Sequence, residues 1–81
     1  MDPAEVFERL RARLLEVIDA APELITPDAR LADTLGADSI HIIEVAGLLE
    51  ADLGVGFDDR ELYDLVTVDD FVRLAVHKLT P

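Results

Sequence analysis

The stretch LGADSIHIIEVAGLLEADLGVG, residues 35–56, carries a turn, a helix start and a helix stop in sequence. Gly36 permits a tight turn, and Asp38 and Ser39 are residue types that favour helix caps. Ile42, Val45, Ala46, Leu49 and Leu53 then recur three and four apart, with Ile43 extending the stripe. Gly54-Val55-Gly56 ends the run. The spacing predicts a helix that opens at Asp38-Ser39 and is apolar along one side, with Ile40, Glu44, Gly47 and Ala51 on another. Such a helix needs apolar partners from the rest of the chain.

Upstream, Asp2-Pro3-Ala4-Glu5 has a cap, a first-turn proline and an acidic residue at the capping-box position. Val6, Leu10, Leu14, Val17 and Ile18 follow at helical spacing, with Phe7 and Leu15 widening the stripe. Pro22 and Pro27 are expected to end this helix and open a connection over roughly 22–37. Leu24, Ile25, Leu31 and Leu35 are apolar enough to pack that connection on the core. Downstream, Phe57 is expected inside and Asp58–Tyr63 as a short helix. Thr67, with Asp70 three residues on, caps a last helix that buries Val68, Phe71, Val72, Ala75 and Leu79. No strand-like alternation and no internal repeat is present. The expected fold is all-α: a small four-helix bundle of three longer helices and one short one, a single domain over residues 1–81.

Composition narrows the function. With 81 residues, 51% of them hydrophobic, and a mean hydropathy of +0.25, the chain is too apolar for a disordered acidic tail. It lacks cysteine, which excludes disulfides, thiolate metal sites and a thiol nucleophile and fits a reducing compartment. No apolar run is long enough to span a membrane and no secretory signal opens the chain, so a cytoplasmic protein is expected. The net charge is −11, and residues 28–70 hold 12 Asp and Glu against two Arg. Such a field repels nucleic acid and anionic membrane and attracts basic protein surfaces.

Ser39 is the residue whose chemistry needs deciding. As a nucleophile it would require a base, yet His41 is two positions away, where helix side chains do not face each other, and GADSI lacks the second glycine of the G-x-S-x-G elbow. His77, the other histidine, has no flanking orienting motif. The two histidines have no metal-ligand spacing and the carboxylates do not fit a calcium loop, so no metal is expected. Two readings stay open: Asp38-Ser39 simply caps the helix, or Ser39 anchors a phosphodiester that another enzyme attaches. The second is compatible with the first, because a helix N-terminus favours an attached anion.

The wider stretch ITPDARLADTLGADSIHIIEV, residues 25–45, resembles the acyl carrier proteins of fatty-acid and polyketide synthesis. Their G-x-D-S-L/I motif is matched by Gly36, Ala37, Asp38, Ser39 and Ile40, the upstream context by Ile25-Thr26-Pro27-Asp28-Ala29, Leu31 and Asp33, and an aliphatic-Glu-aliphatic triplet by Ile43-Glu44-Val45. The likeness covers nearly the whole chain. It implies a four-helix carrier without catalytic activity, whose Ser39 receives a 4′-phosphopantetheine arm from coenzyme A through a phosphopantetheinyl transferase. The thiol of that arm, and not a cysteine of the chain, then carries the acyl group as a thioester.

The resemblance also implies a recognition surface made of Asp38, Ile40, Glu44, Gly47, Glu50, Asp59 and Glu61, meeting basic patches on acyltransferases, ketosynthases or other acyl-processing enzymes. Leu49, Phe57, Leu62 and Leu65 are the implied lining for an acyl chain. A monomer is expected, freestanding from its initiating methionine and length. His41 and Gly47 depart from the usual family residues and favour a dedicated partner set, as in polyketide or other secondary metabolism. The alternatives are a peptidyl or aminoacyl carrier, against which Ala37 and Glu44 weigh, and an unmodified acidic interaction module.

Overall fold

The computed structural model describes residues 1–80. Four helices follow in order: α1 (Pro3–Val17), α2 (Ser39–Leu53), the short α3 (Asp59–Tyr63) and α4 (Val68–Leu79), with a 3-10 turn at Pro22–Leu24. The described residues form no strand, only an isolated antiparallel bridge between Arg30 and Thr67.

The apolar stripes meet in one core. Val6, Leu10 and Leu14 of α1, Val45 and Leu49 of α2, and Val68, Phe71 and Ala75 of α4 are fully enclosed. Each of the Val, Leu and Phe side chains among them stabilises the fold by roughly 1.5–3 kcal/mol against the entropy of ordering the chain. Phe57 is half-buried and sets its ring edge-on to Phe71, with centroids 5.7 Å apart and planes at 87°. Leu53 and Leu79 pack only partly buried at the margin.

Helix ends are set by side chains. Asp2 accepts the Glu5 N–H at 2.9 Å, and reciprocal capping boxes start α2, α3 and α4. Gly54 ends α2 at φ 70°, in the left-handed region that glycine tolerates, with its N–H on the Glu50 carbonyl. The first helix does not run to Pro22. It ends at Val17 because Ile18 turns extended, φ −114° and ψ 153°, and drops its side chain into the core.

The long connection is ordered by backbone as well as by side chains. Leu31 N–H donates to the Val66 carbonyl and Val68 N–H to the Ala29 carbonyl, both at 2.9 Å, stitching the connection to the start of α4. Ile25, Leu31 and Leu35 are buried, but Leu24 is 47% exposed. In the tight 3-10 turn neighbouring residues diverge, so Ile25 enters the core and Leu24 leaves it. Ion pairs tie the helices from outside: Arg13 of α1 holds the Asp52 carboxylate of α2 with two hydrogen bonds of 2.7 and 2.6 Å, and Lys78 of α4 meets Glu61 of α3 at 2.7 Å.

Candidate functional site

Gly36, at φ 66°, turns the chain so that Ala37 is buried and its N–H reaches the Leu31 carbonyl at 2.8 Å. Asp38 follows in extended conformation as the cap of α2, and its Oδ1 accepts the His41 N–H at 3.0 Å. That N–H holds the Asp38 carboxyl below the usual carboxylate range. Capping therefore belongs to Asp38. Ser39 is the first helical residue, exposed, and among the described residues its hydroxyl takes part in no hydrogen bond. No base is placed on it: the His41 Nδ1 is taken up by the Asp38 N–H at 3.2 Å.

Beside Ser39 lies a cavity of about 180 Å³ between the front of α2 and α3. Asp38 and Ser39 form one side of it, Ile42 and Ile43 continue along α2, Leu62, Tyr63 and Leu65 close it from α3 and the segment after, and Ala32 and Ala37 complete the wall. A second hollow, lined by Arg30, Leu31 and Val66 among others, shares Ala32, Ile42 and Leu65 with it. A larger depression along α1 is shallow and touches none of the motif residues.

The apolar lining anticipated from the sequence is split by the fold. Leu62 and Leu65 line the cavity, whereas Leu49 is enclosed in the core and Phe57 packs on Phe71. Ile43 does not extend the buried stripe but is 40% exposed over the cavity. Its helical spacing from Ser39, four residues, was the signal that both share a face. Tyr63, 64% exposed at the end of α3, was missed because nothing in a five-residue helix fixes which way it faces.

The residues read as a docking surface also fall into two groups. Asp38, Ile40, Glu44, Gly47 and Asp59 are exposed, Ile40 by 67%, and a Cβ added at Gly47 would meet nothing within 4 Å. Glu50 instead turns its carboxylate to the Phe57 N–H at 2.6 Å. Glu61 is engaged by Lys78 and by the Asp58 N–H at 3.0 Å, and Lys78 foremost holds its carboxyl below the usual range. Among the described residues no cluster of His, Asp and Glu is arranged to hold a metal ion, and no helix is long and apolar enough to cross a membrane.

The family model described as the phosphopantetheine attachment site matches residues 8–75, the span from α1 through the motif into α4. The chain belongs to this family of phosphopantetheine-bearing carrier proteins. It is 34% identical to an acyl carrier protein of Campylobacter hominis over 68 residues, covering 84% of this chain and 86% of that protein. It is 32% identical to an acyl carrier protein of Thermosynechococcus vestitus over 79 residues, covering 98% of both. One from Saccharopolyspora erythraea is 33% identical over 76 residues, covering 94% of this chain and 80% of that protein.

As an acyl carrier protein the chain bears a covalent 4′-phosphopantetheine and has no catalytic activity of its own. Carrier proteins of this family are served by a phosphopantetheinyl transferase and in turn serve acyl-processing enzymes. The front of α2 fits the phosphopantetheine group, with an exposed hydroxyl that makes no hydrogen bond among the described residues, the positive end of a helix dipole beside it and an apolar cavity starting at the same residue.

Proposed function

We propose that the chain is a single, monomeric carrier domain that tethers acyl intermediates as thioesters on a phosphopantetheine arm attached to Ser39 and presents them to partner enzymes of polyketide or other secondary metabolism in the cytoplasm. The observation that carries the attachment site is the division of labour at the start of α2: Asp38 makes the cap, and the Ser39 hydroxyl is left exposed and uncommitted. In attachment, the Ser39 Oγ–phosphorus bond forms, the pyrophosphate P–O bond of coenzyme A breaks, adenosine 3′,5′-bisphosphate leaves, and the hydroxyl proton passes to a base of the transferase. Ser39 is an acceptor and needs no base of its own.

Asp38, Ile40, Glu44, Gly47 and Asp59 are the exposed docking residues of this reading, with Glu50 and Glu61 contributing charge from engaged carboxylates. Their contacts with basic patches are weak, fast and loosened by salt, as a carrier that must leave each enzyme requires. Cargo enters the cavity lined by Leu62 and Leu65. At about 180 Å³ it is small beside ligand pockets of roughly 300–1,000 Å³, which favours a short apolar segment. Gly47 and His41 support a dedicated partner set, since both alter the face that an enzyme reads.

Intact mass spectrometry of apo protein given coenzyme A, Mg²⁺ and a broad-specificity transferase tests the attachment. One added phosphopantetheine is expected, and none in Ser39→Ala. No addition to the wild-type chain, with a control carrier modified in parallel, would overturn the site. Loading with acyl and with aminoacyl donors then separates the acyl carrier from the peptidyl carrier, which Ala37 and Glu44 disfavour.

A further inference from the structure

The cap that presents Ser39 has an unusual member. In a capping box the residue at the third helical position returns a hydrogen bond to the backbone N–H of the cap, and Glu or Gln ordinarily supplies the acceptor. The boxes of α3 and α4 use the carboxylates of Glu61 and Asp70. In α2 the acceptor is an imidazole: Asp38 N–H donates to His41 Nδ1 at 3.2 Å while His41 N–H donates to Asp38 Oδ1 at 3.0 Å. A carboxylate remains an acceptor throughout the neutral and mildly acidic range. An imidazole accepts only while that nitrogen is bare, and it gains its proton near physiological pH.

Protonation changes three things at the same place. Asp38 N–H loses its acceptor, and Nδ1 becomes a donor toward Asp38 Oδ1, 3.2 Å away. A positive charge appears in the first turn of a helix, where the dipole disfavours it. The Asp38 charge is offset beside the hydroxyl that a basic docking patch must find. The lost acceptor, the charge in the first turn and the offset at Asp38 act against presentation of Ser39, and only the new Nδ1–Oδ1 contact opposes them.

The surroundings leave this exchange to Asp38 and His41. Among the described residues no hydrogen bond or ion pair reaches His41 from another element. Glu44 lies one turn further along the same helix, and α3 brings Tyr63 to the cavity beside the cap. Of the charges on the neighbouring elements, Arg13 and Glu16 of α1 pair with each other and, through Arg13, with Asp52 near the other end of α2, Arg30 pairs with Asp33, and Glu61 of α3 pairs with Lys78, while Asp59 and Arg60 of α3 are exposed and make no ion pair with His41.

We infer that His41 is a positioning residue for phosphopantetheine attachment, holding the Asp38–Ser39 cap through Nδ1 and releasing it on protonation. The inference rests on the Ser39 reading and adds to it a pH control within the carrier itself.

The test compares wild type, His41→Gln, which keeps an acceptor that does not titrate, and His41→Ala, which has none. Initial rates of attachment are measured with one transferase, coenzyme A and Mg²⁺ between about pH 8 and about pH 5.5, the range in which imidazoles titrate. Taking the ratio of wild type to His41→Gln cancels the pH dependence of the transferase. The ratio is expected near unity at the alkaline end and to fall about threefold to tenfold at the acid end, the loss of roughly one hydrogen bond, with His41→Ala slow throughout.

Proton NMR supplies a readout independent of the transferase: the Asp38 amide shift should titrate together with the His41 ring in wild type and stay constant in His41→Gln. A ratio that does not change with pH, or a His41→Ala variant as fast as wild type, would overturn the role. If wild type accepts no arm while a control carrier does, the Ser39 reading falls, and the role inferred for His41 in attachment falls with it. The Asp38 amide then still decides whether His41 holds the cap. Modified wild type with a flat ratio removes the His41 role alone.

Discussion

Two regions of this carrier use apolar residues to opposite ends. Where α1 meets α4, Val6, Leu10, Leu14, Val68, Phe71 and Ala75 are all at 0% exposure, and Arg73 is paired with Asp69 and Asp70 on the outer surface. At the front of α2, Ile40 and Ile43 are 67% and 40% exposed and Tyr63 across the cavity is 64% exposed. Among the described residues neither Asp38 nor Glu44 pairs with a Lys or Arg, and both are exposed. The first region is finished within the chain. The second is left incomplete, which suits a surface whose partners and cargo come and go.

The largest contrast should appear when one apolar residue is cut from each region. Phe71→Ala is expected to destabilise the fold by about 3–5 kcal/mol, because it opens a cavity in the closed core. Ile40→Ser should move stability by less than about 0.5 kcal/mol while slowing attachment or acyl transfer. Urea unfolding followed by helical circular dichroism, beside the attachment rate, measures both. Equal losses of stability would erase the distinction.

A smaller effect sharpens it. Gly47 sits inside α2 with open space where a Cβ would go, so Gly47→Ala should raise stability by roughly 0.5–1 kcal/mol. The same methyl adds relief to the docking face, and partner affinity should change although the fold has gained. Thermal unfolding and binding to a cognate enzyme separate the two.

The third test concerns the closed side at low pH. Arg13 foremost holds the Asp52 carboxyl below the usual carboxylate range. Its share of stability is therefore complete above the ordinary carboxylate pKa of about 3.9 and is lost as pH falls through the lowered folded value. Asp52→Asn should be less stable at neutral pH and lose less on acidification, leaving a shallower acid limb. Glu61 and Asp70, also lowered, keep that limb from vanishing. An acid limb unchanged by the substitution would show that the Arg13–Asp52 link does not hold α1 to α2.

The helices were legible because their stripes repeat locally: Val6, Leu10 and Leu14, or Phe71, Val72 and Ala75, announce a buried face without reference to the rest of the chain. The motif from Gly36 to Ile40 was legible as a cap for the same reason. The exposure of Leu24 and Ile43, the turn of Glu50 to the Phe57 N–H and the break at Ile18 were not, since each depends on a neighbour distant in sequence or on where the core ends. The capping role of His41 was written in its spacing from Asp38, three residues, but histidine is not the residue type that ordinarily signals it.

The sequence by itself determined four helical segments, an anionic surface over residues 28–70, and a serine placed at a helix start in the pattern of a carrier family. The helices, the charge and the helix start follow from periodicity, composition and spacing, which are properties of neighbours along the chain, and the carrier pattern from resemblance to a family. Only the tertiary structure decided that Leu62 and Leu65 rather than Leu49 and Phe57 border the cavity, and which acidic residues remain exposed. The reason is geometric: a helix stripe is wider than the contact that buries it, and the packing of α3 against α2, with the Lys78–Glu61 ion pair to α4, selects which of its edges are closed and which are left exposed.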